Sequence, residues 1–494
     1  MIVLSSQSED SFGFRIFEFL YIAFILSFAF LLGMGYHSQI MARAYFGGGL
    51  LVVALWFYRR NFSLKIFKNP DVIFFGLFIL FELVRALWGY YHIWTSGKAG
   101  ENFRLYQRYT LAPIYWWAFY FAFFLLSYVF FKKRSRVIHL LSGMSWCGLI
   151  LSLNAIPPLL GRHAWGFITE GGRTSFFYPP VYFHDWIARY VLGTVTHPNY
   201  MGDVLAFGMF AATGLSVYAL MMGFDPKMKS LPRRSEEEPL PGLARFFLYL
   251  TFALVSASAI FLFFSRGTIV SLAISFAVFI ALLLIKYRSV LLLVFVLFFS
   301  AAGIGFLFWA GNLQDAWKEV QTLESEMQSL KGNPLQVEYG NNSIFSNREG
   351  ARRALKIYKD YKVWGAGTHG YSEIARKYAT SEAWKRYKIA DFQAMNHYLH
   401  LLAEEGSGAY LYFLTLAAYL QQILTGLFKT RSRFIFVTVL SLFGPVFLVL
   451  SHASIIPIMQ GFAVSVPVYI LMGASLGILS SDFDHRSVEK ESQV

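Results

Sequence analysis

Apolar runs long enough to cross a bilayer recur along almost the whole chain, separated by polar breaks. They fall near residues 14–34, 41–58, 71–90, 111–131, 137–155, 199–222, 245–264, 267–286, 289–310, 407–427, 433–452 and 456–479. Coiled as a helix, an apolar run of about 18 residues or more spans the ~30 Å hydrocarbon layer. The strands of a membrane barrel would show short alternating segments instead. The pattern predicts an all-α polytopic membrane protein with about twelve transmembrane helices.

The polar breaks are unequal, and two are long: 156–198 and 312–406. The second is the one soluble-like region. Leu313, Trp317, Val320 and Leu323 recur at helical spacing in 312–331. Residues 348–363 (REGARRALKIYKDYKV) form a second amphipathic pattern, and WGAGTHGY at 364–371 is a Gly-punctuated turn. A third helix is expected over 391–406, leading into the tenth span. The chain then divides into nine spans over 1–311, a loop domain at 312–406, three spans over 407–480 and a tail at 481–494. LPRRSEEEPLPG after the sixth span reads as a linker.

Charge gives these elements a direction. Arg59 and Arg60 follow the second span, Lys132 to Arg136 the fourth, Lys227 to Arg234 the sixth. Lys286 and Arg288 follow the eighth, and Lys429 to Arg433 the tenth. The positive-inside rule then puts both termini in the cytoplasm and the two long loops, with residues 265–267, on the outer face. Composition agrees, at 56% hydrophobic and only 15% charged, where a soluble protein carries about 25% charge. The net charge of +14 follows partly from this bias and does not call for nucleic acid. The first apolar run follows Glu9 and Asp10 and continues as a full span, so no cleavable signal is expected. The single cysteine, Cys147, excludes an intrachain disulfide and a cysteine metal cluster.

Candidate chemistry gathers on the outer side. Arg266, in FFSRGT, sits where two apolar helices meet, and its planar guanidinium suits a bidentate grip on phosphate oxygens. The adjacent Gly267 allows close backbone approach. Arg189 and His197 lie in RYVLGTVTHPNY, just before the sixth span, where Asn199 is placed to cap a helix whose N-terminus favours an anion. Residues 348–388 hold eleven basic and four acidic side chains; Arg348, Arg352, Lys356 and Lys359 share one helical face. A solvated charged face is the default reading, and anionic lipid or a diphosphate is the functional one. His369, His397 and His400 lie near this set. No third ligand completes a metal site with His397 and His400, and no Walker loop, dinucleotide fingerprint or nucleophile elbow is present. Glu82 and Arg85, three residues apart within the third span, are expected to pair.

In order and membrane side, these features resemble the O-antigen ligase and polymerase family of bacterial surface-glycan enzymes. RYVLGTVTHPNY, FSRG, SNREGARRALKIYKDYKVWGAGTHGY and NHYLHLLAEEGSG carry the resemblance, over roughly 185–425. It implies a GT-C-like membrane glycosyltransferase of the bacterial inner membrane with its active site in a large periplasmic loop. The implied donor is a glycan on undecaprenyl diphosphate, and the acceptor a glycan, a lipid A core or a protein hydroxyl. The ligase variant ranks first, with polymerase close behind. Transfer would be inverting and need no metal or other cofactor. Arg189 and Arg266 match the arginines that hold the diphosphate, with Arg348 and Arg352 as further candidates and His197 and Asn199 in the site loop. The family's catalytic histidine falls on Met395, which cannot accept a proton, so His397 is the candidate base, and His397→Ala should cost far more than His400→Ala. Similarly, the second family glycine is replaced by Ala409, beside Gly408. A transporter or flippase of an anionic lipid-linked substrate, or a non-catalytic partner in a glycan assembly complex, is the rival reading.

Overall fold

The computed structural model describes residues 12–28, 36–58, 64–95, 112–159, 198–224, 242–262, 266–287, 343–367, 370–378, 394, 396–455 and 462–491. Every regular element among them is helical. Five helices precede the first long loop: α1 (Phe12–Ser27), α2 (Tyr36–Tyr58), α3 (Pro70–Thr95), α4 (Ala112–Phe130) and α5 (Arg134–Leu159). Next come α6 (Pro198–Phe224), α7 (Gly242–Leu262) and α8 (Arg266–Tyr287). Two helices of the large loop follow, α9 (Ser343–Asp360) and α10 (His397–Glu405), with one helical turn at Tyr371–Ile374 between them. The chain re-enters the bundle as α11 (Gly408–Lys429), α12 (Arg433–His452) and α13 (Phe462–Glu491).

Among the described residues, eight helices are long and apolar enough to cross a membrane, and α2 and α4 contain shorter apolar stretches. The architecture is that of an all-α polytopic membrane protein. The span expected at 289–310 and the helix expected at 312–331 lie outside the described residues. Two boundary differences bear on the site. The third loop helix begins at His397 rather than 391, because Asn396 is extended there and its side chain accepts from the Leu399 amide as an N-cap. The sixth span begins at Pro198, a residue pre-set for the first helical position because its missing N–H is not needed there. Asn199 therefore lies inside the first turn and not at the cap.

The core of the bundle is α6, α12 and α13, whose spans are mostly buried by neighbouring helices, while α3, α7 and α8 turn large apolar faces outward. Inside lipid the helices gain little from hiding apolar surface, so close packing has to hold them. Small residues make the crossings. Cβ atoms built on Gly148 of α5 and Gly208 of α6 would meet the other glycine's Cα at 2.9 and 2.6 Å. One on Gly473 of α13 would stand 2.2 Å from the Phe124 carbonyl oxygen of α4.

The two ends of the bundle differ in charge. At one end Lys286 donates to the Phe428 and Thr430 carbonyls at 3.0 and 2.7 Å, closing the C-terminus of α11. Arg136 there bonds Tyr58 and the Phe130 carbonyl, and Arg134 lies over the Phe434 ring. At the other end of α6, α8 and α12 stand Asp203, Arg266 and His452.

Candidate active site

Arg266 is the first residue of α8, a position where backbone N–H groups lack intrahelical partners and the helix dipole is positive. The turn that follows is packed to fine tolerance. The ring of His452, at the end of α12, lies against Gly267, and a Cβ on that glycine would come within 2.4 Å of Nε2. Thr268 fits over Gly202 of α6, where a Cβ would meet its side chain at 2.8 Å. The Thr268 hydroxyl donates to Asp203 Oδ1 at 3.4 Å. The same carboxylate takes His452 Nδ1 at 2.9 and 3.1 Å from its two oxygens. Asp203 and His452 are both fully buried. With Asp203 ionised, the carboxylate accepts and Nδ1 is the donor. Nε2 is then left without a hydrogen-bond partner among the described residues.

An ionisable pair at this depth is costly unless each partner satisfies the other, and removing one partner of a buried pair typically costs about 3–5 kcal/mol. The sequence reading missed this pair. Asp203 and His452 are 249 positions apart, and each alone reads as a polar residue near a helix end. The available signal was an ionisable residue inside two separate apolar runs.

The start of α10 docks on the same end of α12. The His397 amide donates to the Ala453 carbonyl at 2.8 Å, the Asn396 side-chain amide to the Ser454 carbonyl at 2.6 Å, and the Tyr398 hydroxyl to the Leu450 carbonyl at 2.6 Å. The His397 ring is buried edge-on to Tyr412, with centroids 6.1 Å apart. Neither ring nitrogen has a hydrogen-bond partner among the described residues. Burial, helped by neighbouring His400, pushes the imidazole down to about 3, so the ring is neutral at physiological pH.

His400, one turn further along, is fully engaged. Its Nδ1 accepts from the Ala394 amide at 3.2 Å, and Nε2 lies 3.1 Å from Glu404 Oε1. Glu404 also accepts from the Tyr371 amide. WGAGTHGY wraps this end of α10. Ala366 and Gly367 amides donate to the Ala403 and Glu404 carbonyls at 2.8 and 2.9 Å. Gly365, at φ 67°, sits where a Cβ would stand 2.0 Å from the Glu404 carbonyl oxygen. Arg85 of α3 ion-pairs with Glu82, as expected, and also with Glu405, and it donates to the Glu404 carbonyl. Phe81 stacks on Trp364 beside it. These motifs form a clamp that fastens the loop domain to the membrane helices.

The other candidates are placed as follows. Arg352 is half-buried and donates to the Tyr378 carbonyl at 3.1 Å. Lys356 and Lys359 are exposed on α9. Arg348 lies on α9 and Asn199 on α6, placed by backbone alone. Arg189, His197, His369 and Met395 lie outside the described residues.

The fold and this end of the bundle define a helical membrane protein whose loop domain is clamped over a polar, buried corner. Residues 251–414 match the family described as O-Antigen ligase. The match spans the C-terminal half of α7, α8, the loop domain and the first turns of α11. No curated protein matches the chain. The match supports an O-antigen ligase-like membrane glycosyltransferase.

Proposed function

We propose that the protein transfers a glycan from a polyprenyl-diphosphate carrier to an acceptor hydroxyl at the outer face of the bacterial inner membrane. The placement of Arg266 carries this reading: a permanent cation on the first turn of α8, within the matched segment, at the end of the bundle where α10 docks. Guanidinium and unpaired helix N–H groups together suit the charge that builds on a leaving diphosphate as the C1–O bond breaks. Arg189, from the preceding loop, is the second cation of this grip, with Arg348 and Arg352 as further candidates and His197 and Asn199 as candidates from the same stretch of chain.

The acceptor oxygen attacks C1 from the face opposite the departing diphosphate, so the configuration inverts. His397 is neutral with free lone-pair capacity, which a base requires. An anionic diphosphate brought beside it raises its proton affinity, so the ring is strongest as a base once donor is bound. The positive-inside rule places the basic end, with Lys286 and Arg136, in the cytoplasm and this corner outside.

The test is glycan transfer by the purified protein in detergent, from an undecaprenyl-diphosphate-linked oligosaccharide, with EDTA present. Lipid A core and unextended donor compete as acceptors. Growth of the lipid A core identifies a ligase, and growth of the donor glycan a polymerase. Absence of any covalent product while donor still binds overturns the transferase reading in favour of a carrier of the same substrate.

A further inference from the structure

Arg266 has to be aimed, and the first turn of a helix, where backbone N–H groups lack intrahelical partners, has little rigidity of its own. We propose that the Asp203–His452 pair is the positioning device for Arg266, and that residues 452 and 453 register the arginine helix against the His397 helix. This rests on the transferase reading above, with an organic diphosphate as the ligand of Arg266.

Five contacts carry the proposal. The His452 ring lies against Gly267, the residue after Arg266. Asp203 holds that ring through Nδ1 and holds the first turn of α8 again through Thr268. Gly202, beside Asp203, admits the Thr268 side chain at a distance that any larger residue would forbid. The first turn of α8 is thus gripped from α6 and α12 at consecutive residues, 267 and 268, and a rotation of that turn would break both grips. The neighbouring Ala453 carbonyl fixes the His397 amide. One short stretch of α12 therefore touches both halves of the proposed site.

A purely structural pair would make a different prediction. If Asp203 and His452 only held helices together, their loss would lower melting temperature and leave ligand affinity intact in the protein that remains folded. If they aim Arg266, their loss weakens diphosphate binding, and only while Arg266 is present. A double-mutant cycle separates the two.

The full chain, purified in detergent, is titrated calorimetrically with farnesyl diphosphate as wild type, His452→Gln, Arg266→Gln and the double variant, with melting temperatures recorded. We expect His452→Gln to weaken binding about tenfold and the double variant to bind no more weakly than Arg266→Gln alone. Thr268→Val, which keeps the shape and replaces the hydroxyl with a methyl, should weaken binding about threefold and serves if His452→Gln does not fold. Unchanged affinity in folded His452→Gln, or in Thr268→Val where that variant stands in, overturns the positioning role. So do losses that multiply in the double variant. Wild type that fails to bind farnesyl diphosphate, or binding indifferent to Arg266→Gln, overturns the diphosphate reading itself and the positioning role with it.

Discussion

The clamp around α10 and the corner around His452 are built from the same kinds of residue, both buried at the same end of the bundle, and they differ in what their histidines leave unpaired. In the clamp both ring nitrogens of His400 are engaged, by the Ala394 amide and the Glu404 carboxylate. Arg85 is held between Glu82 and Glu405. In the corner His452 keeps Nε2 free of hydrogen bonds, and His397 keeps both nitrogens free, among the described residues. Engaged groups hold a structure together, and groups left unpaired at a buried site remain available to a ligand. A dense motif is therefore no guide to chemistry by itself: NHYLHLLAEEG and WGAGTHGY are mostly the two halves of a fastening.

Substitutions should divide along the same line. The largest effect expected in the clamp is on folding. Arg85→Leu leaves Glu82 and Glu405 buried with no cation between them, and should cost about 3–5 kcal/mol. The yield of monodisperse protein after detergent extraction reads this, and near-wild-type yield would mean the knot is solvated. The matching substitution in the corner, Arg266→Ala, should reduce glycan transfer at least about a hundredfold with melting unchanged. Normal transfer would remove Arg266 from the site.

Gly365→Ala sharpens the contrast at smaller scale. It puts a side chain at a positive φ and against the Glu404 carbonyl, at a cost of about 2 kcal/mol or more in stability. Transfer per folded molecule should be preserved, and a selective loss of turnover would give the clamp a role in chemistry.

The smallest effect concerns pH. His397 is held down to about 3 from 6.5 by burial, so the unfolded chain binds its proton first as pH falls. Stability from this residue is complete above pH 6.5 and declines below it, by about 1 kcal/mol between pH 7 and 5.5. Melting curves in detergent at those two pH values should draw closer in His397→Leu. An unchanged acid shift in the variant would show that His397 is hydrated.

The comparison also shows where the sequence was readable. Gly406 and the glycines of WGAGTHGY marked a helix end and a turn, and the structure has them there because positive φ is a local demand, whereas the N-cap at Asn396 was passed over by a helix expected to start at 391. The Glu82–Arg85 pair was legible from three-residue spacing on one helix face. Glu405, the third member of that knot, was not, because its place depends on how α3 and α10 meet. Nothing within WGAGTHGY indicated that its amides would close the C-terminus of α10.

What the sequence determined by itself was the membrane-spanning helical character, most of the spans and the charge asymmetry of their ends, since each follows from runs of neighbouring residues meeting lipid or water. It also marked Arg266, because a cation between two apolar runs stands out in one dimension. Only the tertiary structure decided which buried polar groups meet across helices. His452 reaches Asp203 because α6 and α12 pack closely, and it reaches Gly267 because that residue has no side chain. Long-range pairing depends on the geometry of helix crossings, which no stretch of the chain encodes alone.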